Sequence, residues 1–238
     1  MTWSAVLLVT AVVGAVSVIR SVRLRALVYS LPLPMTLALV TTGYDVDGAQ
    51  VLGVLGLNFF FVTVAVTHRR LRWPILLADG AGIGVYVALS AGLVAVDVPF
   101  EAALAGTLVL WATAMLLRRR HARPVTADAD GPAATGLPVP LKLVVIFVGA
   151  VLTALLGAVL RQMVVTFPYS GVLVAVEARH QLSEFTGHFA RNSLALVAFL
   201  TAYHYVQHVS TAAALGAGWA AFAVVAAVLH LPRRPRSA

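Results

Sequence analysis

Apolar runs of about twenty residues recur along the whole of this sequence, and a run of that length crosses a hydrocarbon core of roughly 30 Å as a helix. In lipid every backbone polar group must be satisfied within the protein, which leaves helices and closed barrels, and uninterrupted runs this long read as helices. Charged residues make up 11% of the chain and hydrophobic ones 61%, whereas soluble domains carry about a quarter charged residues. A water-soluble surface cannot be made from so few charges. The even spread of the runs also excludes a soluble domain on a single anchor.

The pattern predicts an all-α polytopic bundle of nine helices, at about 4–19, 26–43, 49–67, 75–95, 98–117, 141–160, 163–178, 187–207 and 210–230. The net charge is +8, and of 17 basic residues only Lys142 is lysine. With the abundance of Ala, Val and Gly this composition suggests a bacterial source. The arginines fall between the helices, so the charge reads as a topology signal and nucleic acid is not an expected partner. Arg20, Arg23 and Arg25 follow the first span, the reverse of a secretory signal peptide, so that span is expected to be retained with the N-terminus outside. Alternation then puts Arg69, Arg70 and Arg72, Arg118 to Arg123, Arg179 and Arg233 to Arg236 on the cytoplasmic side of a cell membrane. Asp45, Asp47 and Asp97 fall on the other side, and the C-terminus inside. With no cysteine, disulfides, thiolate metal sites and a cysteine nucleophile are excluded.

The polar stretch RRRHARPVTADADGPAATGLPVP, 118–140, divides the chain into two halves. A shift of 134 residues lays Pro168 on Pro34 and Asn192 on Asn58, and 210–230 on 75–95. YSLPLPMTLALVTTG then faces VTFPYSGVLVAVEAR, each a short span with a proline near its start and a hydroxyl two places on, Thr36 or Ser170. The expected organisation is a four-helix repeat over 1–97, a linker helix and polar linker over 98–140, and a second four-helix repeat over 141–238. With one linker helix between two four-helix repeats, the first repeat begins outside and the second inside, so the two would be inverted in the membrane. Paired Pro- or Gly-interrupted short spans at matching positions are the usual sequence pointer to a transport site. Proline frees backbone carbonyls, which then need other partners, a solute or a neighbouring side chain.

The segment FPYSGVLVAVEARH and the two helices after it resemble the small four-helix GlpM-like bacterial membrane proteins over about 90 residues. That resemblance implies a duplicated four-helix architecture and hardly constrains activity. The four-plus-one-plus-four layout is also similar to the fused fluoride channels. Their Gly- and Thr-rich motifs are missing, so nothing of that family is carried over.

Polar residues inside apolar helices carry most of the functional information, because they face a bundle interior, a cavity or each other. Asn58 and Asn192 can offer amide donors and acceptors to a solute, or simply hydrogen-bond between helices. Asp79, beside Gly80, Gly82 and Gly84, is an intramembrane carboxylate or an interfacial cap. The densest cluster is EARHQLSEFTGHFARN, in which Glu177, His180, Glu184, His188 and Arg191 recur at three and four. His180, Glu184 and His188 are suitable ligand types for a transition metal, but on one straight helix they would span about 12 Å. A metal would need a break there or ligands from elsewhere, and no metal or other cofactor is expected. Headgroup contacts, or a proton or ion pathway, are the other uses of the cluster. Tyr203 to His208 are expected as interfacial anchors. No phosphate loop, GxSxG, HExxH or paired-carboxylate motif occurs, so a catalytic role is not expected.

The expected function is a small-solute or ion permease with its path between the Pro-containing spans. The alternatives are a non-catalytic membrane subunit that binds another membrane protein or a lipid intermediate, and a membrane-embedded metal enzyme using the 177–192 cluster. The lipid bilayer is the assured partner; a second copy of the chain or another membrane protein are the partners open to it.

Overall fold

The computed structural model describes residues 30–94, 96–121, 163–168 and 171–231. The expected spans 4–19 and 141–160, the polar linker beyond residue 121, and Ser170 lie outside the described residues. Those described are helical and contain no strand, and they form seven α-helices where the full chain was expected to form nine. These are α1 (Leu33–Thr42), α2 (Gly48–Arg69), α3 (Ile75–Val94), α4 (Phe100–His121), α5 (Gly171–Glu177), α6 (Leu182–Val206) and α7 (Thr211–His230).

Local chemistry accounts for most of the boundaries. Asp47 caps α2 by accepting from the Gln50 N–H at 3.1 Å, and Ser210 caps α7 by accepting from Ala213. Pro74 and Pro99 precede α3 and α4, where a missing N–H costs nothing. Gly43 ends α1 in the left-handed region at φ 63°, its N–H returning to Leu39 O.

Both Pro-containing spans are broken rather than continuous. The one expected over 26–43 has a turn through residues 30–32 and becomes helical at Leu33, with Pro34 inside the first turn. The one expected over 163–178 divides into a 3-10 turn at Val164–Thr166, non-helical Phe167 and Pro168, and the seven-residue α5. A proline ring is accepted where first-turn N–H groups are already free, so helices start at these residues instead of kinking through them. The helix expected from 187 begins at Leu182, after a second 3-10 turn at Arg179–Gln181.

The centre of the bundle is the packing of α2 against α6. Val46, just before α2, meets Gln207 just after α6, whereas Arg69 at the far end of α2 donates to Ser183 Oγ at 2.6 Å. The two helices are therefore antiparallel along their full length. Between those ends Phe61 packs on Phe185 and Phe189 with ring centroids 5.2 and 4.6 Å away. Around this pair α3 packs on α2, α7 on α6, and α4 on both. Gly82 and Gly56 let α3 and α2 approach, and Gly218 lets α7 approach α6: a Cβ on Gly82 would come within 2.7 Å of Phe60. Small residues at crossings matter because in lipid the helices associate by close packing, not by expulsion of water.

The helix directions collect the charges. Asp45, Asp47 and Asp97 lie at one end with the start of α2 and the end of α6; Arg69, Arg70, Arg72, Arg118, Arg120 and Arg179 lie at the other. Four helices, Gly48–Arg69, Ile75–Leu93, Phe100–Arg118 and Thr211–His230, are long and apolar enough to cross a bilayer. The chain is a helical membrane protein, and α6 buries Asn192 while leaving Arg191 exposed.

Candidate functional site

The two broken segments meet in the interior of the bundle, where the residues around Pro34 pack against the 3-10 turn at Val164–Thr166. A cavity of about 40 Å³ lies between them, room for roughly three water molecules. Leu31, Pro34 and Met35 form one wall, residues Val165 to Pro168 with Gly171 and Val174 the opposite one, and Leu57, Phe61, Phe189 and Leu196 of the central pair the floor. Thr166 supplies the polar side chain of this lining.

Carbonyls beside both breaks have protein partners. Pro32 O accepts from both the N–H and the hydroxyl of Thr36, at 2.8 and 2.7 Å. Met163 O accepts from the Tyr86 hydroxyl at 2.9 Å, and that hydroxyl also pairs with Thr166 Oγ1 at 2.8 Å. In the other direction Trp219 Nε1 donates to Thr36 Oγ1 at 3.1 Å. So α3 holds the broken segment before α5, and α7 holds α1: each helix grips the break in the other half. These gripping residues escaped the sequence reading, since Tyr86 and Trp219 look like ordinary aromatics of apolar spans.

Asn58 and Asn192 lie at the same level of the antiparallel pair, beside cavity-lining Leu57 and between Phe189 and Leu196 respectively, although neither lines the cavity. Asn58 Nδ2 donates to Val54 O at 2.8 Å, which leaves its Oδ1 buried without a partner among the described residues. Asn192 is 4% exposed and its Nδ2 likewise has no partner. The simple interhelical hydrogen bond is thus not made. One unused acceptor and one unused donor stand at the middle of the bundle.

Asp79 is 2% exposed, with neither carboxylate oxygen partnered among the described residues. It is not the interfacial cap that its position suggested. Of its three neighbouring glycines only Gly82 makes a close approach; added Cβ atoms on Gly80 and Gly84 would meet open space.

The 177–192 cluster is not one stripe. Glu177 ends α5, His180 lies in the 3-10 turn with its Nε2 accepting from Arg179 Nε, and Glu184 and His188 belong to α6, 3.5 Å apart. The turn supplies the break that metal binding would need, yet among the described residues no three His, Cys, Asp or Glu side chains are placed to hold an ion. Arg191 reaches Leu229 O at the end of α7, and the Arg118 guanidinium crosses Gly187, where any side chain would collide with it.

At the acidic end the expected anchors split. Tyr205 is exposed, whereas Tyr203 is buried, and His204 stacks on Phe100 at 3.6 Å while its Nδ1 contacts Val46 O at 2.6 Å. Gln207 bonds both the N–H and the carbonyl of Val46, tying the start of α2 to the end of α6. Burial pushes the nearby Asp47 carboxyl above its ordinary value, with the Asp97 charge adding to it, against the opposing backbone N–H bonds from Gln50 and Ala49.

Comparison of the chain with protein-family models, curated proteins and solved structures returns no match.

Proposed function

We propose that this membrane protein is a small permease for a solute or ion, built from two inverted four-helix repeats, with its path between α1 and α5. The observation that carries the proposal is the meeting of two breaks beside Pro34 and Pro168 around a small, partly open cavity, at the level where Asn58 Oδ1 and Asn192 Nδ2 remain unpartnered among the described residues. Irregular backbone deep in a membrane bundle is tolerated where it is buried in protein or lines a cavity, and broken helices at matching positions mark binding sites in transporters.

Three features support the repeat. A shift of 134 residues carries the start of α2 at Gly48 onto the start of α6 at Leu182, and Pro34 onto Pro168. The helices so matched run antiparallel. The grip of Tyr86 on one break and of Trp219 on the other is reciprocal. The basic end faces the cytoplasm by the charge bias of short loops, which puts the N-terminus outside and the C-terminus inside a cell membrane.

The test is a flux screen in proteoliposomes across simple ions and metabolites. Pro34→Ala, Pro168→Ala, Asn58→Leu and Asn192→Leu are each expected to depress the flux of whichever solute is carried. Flux unchanged in all four removes the site. Cysteines introduced at Asp45 and Arg179 should label from opposite sides; labelling from one side would end the inverted arrangement. Recovery in mild detergent with a stoichiometric partner, and no flux alone, would assign the chain to the subunit class instead.

A further inference from the structure

Asp79 sits about one turn inside α3 from the basic end, and it is the sole charged residue of that helix. Among the described residues the helices that pack most on α3 are α2 and α5. The ionisable groups these bring to that end are His68 and Arg69 of α2 and Glu177 of α5. His68 Nδ1 is engaged with Trp73 O, and Arg69 with Ser183 Oγ. Among the described residues Asp79 has neither an ion pair nor a hydrogen bond.

An ionised carboxylate in that position would have lost its water and gained no donor or cation in exchange. A proton is the smallest addition that removes the charge. The location gives the proton a consequence. Tyr86, about two turns farther along α3, holds the backbone that leads into α5, and α5 packs on the same helix. Ionised Asp79 would need water or a cation admitted between α3 and its neighbours, on the helix that holds the break.

We propose that Asp79 is a proton-binding site and that its proton is the coupling ion of the transport cycle. Its meaning as a coupling ion rests on the permease reading, but the bound proton itself does not. Dicyclohexylcarbodiimide tests it directly: the acid O–H adds across a C=N bond of the reagent, giving an O-acylisourea that rearranges to a stable N-acylurea, so only the protonated carboxyl reacts.

Full-length purified protein treated at about pH 6 should carry the adduct at Asp79 in a peptide map. Labelling should fall by about tenfold per pH unit once the carboxyl ionises. Asp79→Glu should retain it and Asp79→Asn abolish it, with loss of the matching carboxylic acid C=O band in the infrared difference spectrum. No adduct at Asp79 near pH 6, or adduct on Glu177 instead, overturns the proposal, and the wild-type map decides this even where the Asn variant does not purify. Because labelling requires no flux, a silent flux screen would remove the permease reading and leave the proton site standing.

Discussion

Removing the Tyr86 hydroxyl tests how the two halves hold one another. In Tyr86→Phe the bonds to Met163 O and Thr166 Oγ1, 2.9 and 2.8 Å, disappear inside a closed site. Neither partner is orphaned, because Met163 O keeps the Thr166 N–H and the Thr166 hydroxyl, each at 3.2 Å. The full cost of an unsatisfied buried group therefore does not apply. The loss is of two hydrogen bonds at roughly 0.5–1.5 kcal/mol each by soluble-protein measures, and about 0.6 kcal/mol on average between membrane helices. A destabilisation of about 1–2 kcal/mol follows. It should be measured by equilibrium unfolding in mixed micelles, as a double-mutant cycle with Thr166→Val. Coupling of about 0.5–1 kcal/mol is expected. Additivity within about 0.3 kcal/mol would refute a direct Tyr86–Thr166 bond, and with it the grip of α3 on the break before α5. The same cycle on Trp219→Phe and Thr36→Val reads the reciprocal grip through the single 3.1 Å bond.

Asn58→Leu and Asn192→Leu each remove an unpartnered buried amide atom, in Asn58 together with an Nδ2 bonded within its own helix, so each should leave unfolding stability within about 1 kcal/mol of wild type or raise it; losses of about 2 kcal/mol would mean that these amides are structural. Gly82→Val places a side chain against Phe60 and Val64 and should cost about 1–3 kcal/mol. Gly84→Ala, into open space, should be neutral or stabilising by up to about 1 kcal/mol in the same unfolding assay. Because burial raises the Asp47 carboxyl above 3.8, the folded state binds its proton more tightly than the unfolded chain does. Its contribution to stability is therefore present at and below that ordinary value and is lost as pH rises through the raised one. Unfolding of wild type against Asp47→Asn across that window should show the dependence only in wild type, and a slope of the opposite sign would contradict the burial argument.

Hydropathy and charge are properties of a short window, which is why the four long apolar helices and the acidic and basic ends were legible in the residues alone, whereas the spans expected over 26–43 and 163–178 proved not to be continuous helices. The caps at Asp47 and Ser210 belong to the same class, since each is satisfied within three residues of its own position. Which side of a helix faces protein could not be read in this way. Lipid and protein interior are about equally apolar, so a membrane helix has no strong polar face to betray its orientation. That is why Gly82 rather than Gly80 or Gly84 marks the crossing, and why His204 turned inward onto Phe100 while Tyr205 turned out. The breaks were announced by Pro34 and Pro168, but their satisfaction was not. Tyr86 lies 77 residues from Met163, and Trp219 lies 183 from Thr36. Only the antiparallel packing of α2 on α6 brings such distant groups together, and only that packing leaves Asn58, Asn192 and Asp79 with polar atoms that nothing described in the chain satisfies.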